Sequence, residues 1–306
     1  MSTAGQHRHP ISLFGASTPS GAAFRELAGD HHLVVLGRRC PPGWPLPRFM
    51  ACDLTSAPAA DLPLRGRIVS FAPLWHLAPF LAERLRMLQQ SGVQRDAFPE
   101  AVVACSSSSV LTKRFAANRE DQALVKRLLE AESQLSEACR LAAVPCRILR
   151  PTLIYGAAGG FADRNLSVLR RLMGRLPLLP VPAHSGLRQP IHARQLAGVA
   201  LQLLAQPDQP SDPLDVGGDE ILSYRAMLQR LREVAAHQPG DPAGRCRLVP
   251  LPAPLFHLLA APLLPFRPKL FEAVLRIEAD LAGFTPAHTL LREPPQRFPL
   301  EPLAPR

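Results

Sequence analysis

The chain has 306 residues, 47% hydrophobic and 20% charged. That composition excludes wholesale disorder and suits one large α/β domain or a domain with an appendage. The balance of 35 basic against 25 acidic residues gives a formal charge of +10, which favours phosphate-bearing partners of any kind; with aromatics at 6% and no long Lys/Arg tract, base-stacking nucleic-acid binding is not expected.

In chain order, residues 1–10 are polar and lack the apolar run of a secretory signal. Residues 11–14 (ISLF) form an apolar run ending at Gly15, read as a buried strand entering a tight turn, and 22–27 have helical character. Residues 32–36 (HLVVL), closed by Gly37, and 68–71 are further strand candidates, and helical spacing covers 77–88. A third short strand is expected just before Cys52. Residues 101–104 (AVVA) read as a strand running into four serines. Leu124, Leu128, Leu135 and Leu141 give 119–143 the spacing of one long amphipathic helix, and 146–149 is a strand closed by Arg150-Pro151. This alternation predicts βαβ units and an α/β, doubly wound parallel sheet. After Pro151 it weakens: 166–175, 195–204 and 224–237 read as helices, the last with Ser223 as N-cap. The apolar stretch 248–266 carries five prolines and His257, so it reads as a short buried or surface helix, with membrane contact as the alternative. Of 34 prolines, 17 follow residue 206, so the C-terminal third should be loop-rich.

The first turn runs Gly15-Ala16-Ser17-Thr18-Pro19-Ser20-Gly21 between a strand and a helix. Glycines suit a turn where backbone approaches a pyrophosphate and a helix packs tightly on a strand. Gly15 and Gly21 supply the outer pair, but the middle position is Thr18. Arg38 and Arg39 end the second strand, where a carboxylate would bind a ribose 2′-OH and arginines suit a 2′-phosphate; the plain alternative is a solvated surface pair. Asp53 could meet an adenine edge or simply cap a helix. The six scattered cysteines form no C-x-x-C pair and read as reduced thiols.

The stretches GASTPSG, Asp53-Leu54-Thr55, VVACSSSSV, KRLLEAE, ILRPTLIYG and GLRQPIH, together with the strand end at Arg38, resemble the extended short-chain dehydrogenase/reductase superfamily, in particular its NAD-dependent epimerase/dehydratase group. The resemblance covers roughly residues 11–236. It implies a polar tail 1–10, an NAD(P)-binding Rossmann domain 11–155, a smaller substrate lobe 156–283 interleaved with it, and a Pro-rich tail 284–306. It implies NADP or NAD as cofactor, NADP favoured, contacted by Gly15, Ser17, Thr18, Gly21, Arg38, Arg39, Asp53, Leu54, Ala72 and Pro73. The substrate implied is a nucleotide sugar or related small carbonyl or alcohol, contacted by Asn165, Arg188 and His192. For His192, a packed, hydrogen-bonded role is the stronger reading. Arg170, Arg171 and Arg175 read as a solvated helix face. A cytoplasmic protein is expected, with a homodimer as the candidate assembly and no metal.

The family's chemistry uses a serine and a Tyr-x-x-x-Lys pair, the lysine making the phenol a usable acid/base. Ser107 takes the serine's place, but the pair aligns with Leu124 and Leu128, and neither tyrosine, Tyr155 or Tyr224, is followed four residues on by lysine. Three readings stay open. Another group, such as Lys113, Lys126 or Tyr155, supplies the proton; or the protein binds nucleotides without turnover; or it is a structural or membrane-peripheral assembly protein. Just past His192, Arg194-Gln195 stand where the family carries acidic residues.

Overall fold

The computed structural model describes residues 10–29, 32–59, 62, 64–206, 212–262 and 268–301. Residues 1–9 of the expected N-terminal tail 1–10, the end of the apolar stretch at 263–266 and the last residues, 302–306, lie outside the described residues.

The elements begin β1 (Ile11–Phe14), α1 (Pro19–Ala28), β2 (Leu33–Gly37), β3 (Phe49–Ala51), β4 (Gly66–Ser70), α2 (Leu74–Gln90) and β5 (Pro99–Cys105). There follow α3 (Ser109–Thr112), α4 (Arg119–Leu141), β6 (Cys146–Pro151), β7 (Ile154–Tyr155), β8 (Ala157–Ala158), β9 (Phe161–Ala162) and α5 (Asn165–Arg175). Next come β10 (Leu178–Pro182), β11 (Leu187–Arg188), β12 (Ile191–His192), α6 (Ala193–Leu204), β13 (Leu214–Gly217), β14 (Leu222–Ser223) and α7 (Tyr224–His237). The chain continues with β15 (Arg247–Leu251), α8 (Ala253–Ala260), α9 (Pro268–Leu275), β16 (Thr285–Pro286) and α10 (Ala287–Leu291).

The chain divides into two compact units, and both are assembled from separated segments. In the first unit (1–107, 127–150 and 197–214) six strands pair in parallel in the order β3-β2-β1-β4-β5-β6. The order reverses at β1, where neighbours β2 and β4 lead their connections away in opposite directions; in such sheets this is where ligands bind, outside the carboxyl ends of the strands. All four residues of β1 are buried, as expected of a parallel strand covered on both faces. Phe14, Leu36, Ile68, Leu77, Leu81, Leu135, Cys139 and Ile148 belong to the core around it. Helix α4 ends at Leu141 in a left-handed cap: Ala143 has φ +53°, Ala143 N donates to Arg140 O and Val144 N to Cys139 O at 2.8 Å.

The second unit (108–126, 151–196 and 215–306) packs Tyr155, Leu166, Met173, Val181, Met227, Leu231 and Phe298 into its own core. It holds short parallel pairs, β10 with β15, β7 with β12 and β13 with β16, and antiparallel β11 with β14. Ser223 caps α7, its hydroxyl accepting from Ala226 N. Two expectations are corrected here. The stretch from 284 is not an extended tail: β16 pairs with β13, and Phe298 is buried. The stretch from 248 opens as strand β15 before it becomes helix α8. Among the described residues no helix is long and apolar enough to cross a membrane.

Candidate functional site

A cavity of about 750 Å³ opens in the first unit, lined by the β1–α1 turn, the ends of β2 and β3, and the start of α2. Gly15 has φ +76°, and a Cβ there would lie 2.4 Å from Ala72 N, so the crossing of the β1 and β4 loops demands glycine. Gly21 does not line the cavity. A Cβ on it would lie 2.2 Å from Gly15 O, so Gly21 lets α1 sit against the turn and holds the cavity wall from behind.

Thr18 accounts for the missing middle glycine. Its φ of −98° needs no glycine, and it is the N-cap of α1. Its hydroxyl donates to Gly15 O at 2.8 Å and accepts from Gly21 N at 3.0 Å, closing the turn by side chain.

Arg38 and Arg39 are exposed and line the cavity at the end of β2. Asp53 faces it from beyond β3, with Oδ1 accepting from Thr55 N at 3.0 Å and Thr55 Oγ1 at 2.8 Å. Those two bonds, with Arg38 and His76 nearby, hold its carboxyl below the usual value. The side chain therefore caps a local turn and still borders the cavity. Ser17, Thr18, Leu54, Ala72 and Pro73 also line it. The lining residues outside the expected set include Cys52, whose thiol burial pushes up to about 11, and His76 on the first turn of α2. A lone histidine two positions into a helix gives no periodic or motif signal; only the helix starting directly after Pro73 brings it to the cavity.

In the same unit, Ser106 donates to the Glu132 carboxylate, which Arg150 also grips through Nε at 3.0 and 3.1 Å. Ser107 is half-buried at the end of β5, in the segment leading to α3. Leu128 is buried in the core and Leu124 half-buried, so an apolar face of α4 stands where the phenol and ammonium were expected.

In the second unit, Lys113 donates to Asp121 at 2.7 Å, and Asp121 also takes Asn118 and Arg276, both at 3.0 Å. Lys113 is thus engaged in a buried charge cluster. Tyr155 is 1% exposed, its ring packed edge-on against His192 and Phe298, and its hydroxyl accepts from Leu300 N at 3.0 Å. Burial pushes its phenol well above the ordinary tyrosine value. The side chain is a core residue anchoring the C-terminal segment.

Arg188 lies in the interior of the same unit. It is 7% exposed, its guanidinium stacks over Tyr224, and it donates to the carbonyls of Leu187, Ala279 and Arg276 at 2.5–2.7 Å. Those bonds occupy the fork that would grip a diphosphate. His192 is 1% exposed and its Nδ1 accepts from Arg194 N; a Cβ on Gly156 would lie 2.2 Å from its Nε2. His192 is thus packed and hydrogen-bonded, as the stronger of its two readings has it. Gln195, standing where an acid was expected, accepts from His192 N and donates to Asp219. Asn165, at the start of α5, is exposed and donates to Ile154 O at 3.4 Å. Among the described residues no group of three or more His, Cys, Asp or Glu could hold a metal ion.

No protein-family model matches this sequence, and no curated protein shows significant similarity to it. Solved structures do match. MoeE5, in complex with UDP-glucose and NAD, is 17% identical with a TM-score of 0.60, the match covering 94% of each chain. UDP-glucuronic acid 4-epimerase from Bacillus cereus, in complex with NAD, is 13% identical with a TM-score of 0.59, again over 94% of each chain. RMD from Pseudomonas aeruginosa, complexed with NADPH, is 13% identical with a TM-score of 0.52 over 79% of this chain and 85% of that one. The chain has the α/β Rossmann-like fold of these nucleotide-sugar enzymes.

Proposed function

We propose that the cavity of the first unit holds the adenosine half of a nicotinamide dinucleotide, NADP(H) ahead of NAD(H). We infer further that the chain acts as an epimerase, dehydratase or reductase on a nucleotide sugar or a related small carbonyl or alcohol. The observation that carries this reading is the meeting, on one cavity, of the Gly15–Thr18 turn, the Arg38–Arg39 pair and Asp53. Structural neighbours solved with NAD, NADPH or UDP-glucose support the ligand classes.

The residues fit the group. The turn, with Ala72 and Pro73, would cradle the pyrophosphate and ribose, Asp53 would meet the adenine edge, and the two guanidiniums would take a 2′-phosphate by charge-assisted bonding. When bound, the nicotinamide ring gives or accepts a hydride. The chain's own contribution to chemistry is narrower. Ser107 is the side chain we assign to hydrogen-bond a substrate oxygen, and Asn165 remains the candidate substrate contact in the second unit.

One observation favours a second reading, nucleotide binding without turnover: leucines at 124 and 128 have no proton to give. The test is a thermal shift and titration calorimetry with NADPH and NADH, then turnover of UDP-sugars by wild type and Ser107→Ala. Binding with turnover that Ser107→Ala abolishes supports the enzyme; binding with no turnover supports the second reading; no binding by either cofactor overturns both.

A further inference from the structure

Helix α8 is apolar apart from His257, which reaches the Glu278 carboxylate. Phe256 and Ala260 face inward and are buried, while Leu255, Leu258 and Leu259 on the outer side are 45%, 68% and 57% exposed. Exposed leucines clustered on one helix face mark a surface that is ordinarily covered.

Two stretches of the sequence are free of acids and rich in arginine. Between Asp163 and Asp208 the sequence has no Asp or Glu and six arginines; between Asp241 and Glu272 it again has none, with Arg245, Arg247, Arg267 and Lys269. The fold of the second unit brings these two acid-free stretches together. Strand β10 of the first pairs in parallel with β15 of the second, Leu178 beside Arg247, and α8 packs on β10. Arg171, Arg175, Arg245 and Arg247 are exposed, as are Leu172 and Leu178. The carboxylates at the margins are already engaged: Asp241 by Arg170 at 2.7 Å, and Glu278 by His257 at 2.9 Å.

We propose that this face, the α8 leucines with the arginines of α5 and β15, docks on an anionic lipid surface. Leucines enter the acyl boundary and guanidiniums meet headgroup phosphates, the two-part attraction of an interfacial helix. A second copy of the chain is the poorer occupant, because a two-fold contact would set this basic face against itself. The proposal stands independently of the cofactor reading.

The test is flotation of the full chain with vesicles of phosphatidylcholine containing about 30% phosphatidylserine, and with phosphatidylcholine alone. Wild type is expected to float with the anionic vesicles. Leu258→Glu with Leu259→Glu should lower partitioning about tenfold or more, and Arg175→Gln with Arg247→Gln by a similar factor on anionic vesicles only. Circular dichroism checks that each variant folds; the arginine pair decides alone should the leucine pair unfold. No binding by wild type, binding that the arginine pair leaves unchanged, or a solution dimer that the leucine pair dissociates would each overturn the proposal.

Discussion

The hydroxyl of Thr18 donates to the carbonyl of Gly15 at 2.8 Å while accepting from Gly21 N, so one side chain closes the turn at the mouth of the cavity. Thr18→Ala removes that cap and should cost about 1 kcal/mol, whereas Thr18→Ser should be nearly neutral and Thr18→Gly intermediate. Thermal denaturation of the three variants checks the order; an alanine variant as stable as wild type would mean the backbone holds the turn unaided.

Tyr155 offers a separation of structure from chemistry. Its phenol accepts from Leu300 N in the second unit. Tyr155→Phe keeps the ring packing but strands that N–H, so stability should fall by about 1 kcal/mol while cofactor affinity stays unchanged. Chemical denaturation and calorimetry on the same preparation read both. Loss of turnover at full stability would return Tyr155 to the reaction.

Asp121 should govern part of the acid sensitivity. Burial pushes its carboxyl up, but hydrogen bonds from Lys113 and Asn118 and the charges of Lys113 and Arg276 outweigh it, leaving the folded value below the ordinary one. A depressed folded value means the stabilisation is fully present above the unfolded value, about 3.9, and is lost as pH falls through the folded one. Urea midpoints measured from pH 6 down to pH 2 should therefore fall more steeply below about pH 4 for wild type than for Asp121→Asn. Parallel curves would remove Asp121 from the acid response.

Much of this architecture is legible in the sequence. Apolar runs ending in glycine mark β1 and β2, and leucine spacing marks α2 and α4, because these elements bury their faces locally and repeat with a short period. The cavity is legible for the same reason: its wall is built from strand ends that the alternation locates. Strand β16 is not, since two residues become a strand only beside β13, some seventy positions earlier. Nor is the fate of Arg188: an arginine in a loop reads alike whether it awaits a phosphate or satisfies three carbonyls, and only burial tells the two apart. The amide of Gln189 donates to Gly218 O and Phe284 O and accepts from Gly283 N and Phe284 N, a role written in no local pattern.

Calorimetric titration of wild type and the Arg38→Ala, Arg39→Ala double variant with NADPH and NADH tests the central claim most directly. The account predicts that wild type binds NADPH, and that the double variant loses about tenfold or more in NADPH affinity while NADH changes by less than about threefold. Equal losses for both cofactors would contradict the assignment of the arginine pair to a 2′-phosphate, and flat titrations with both would contradict the cavity's assignment to a dinucleotide.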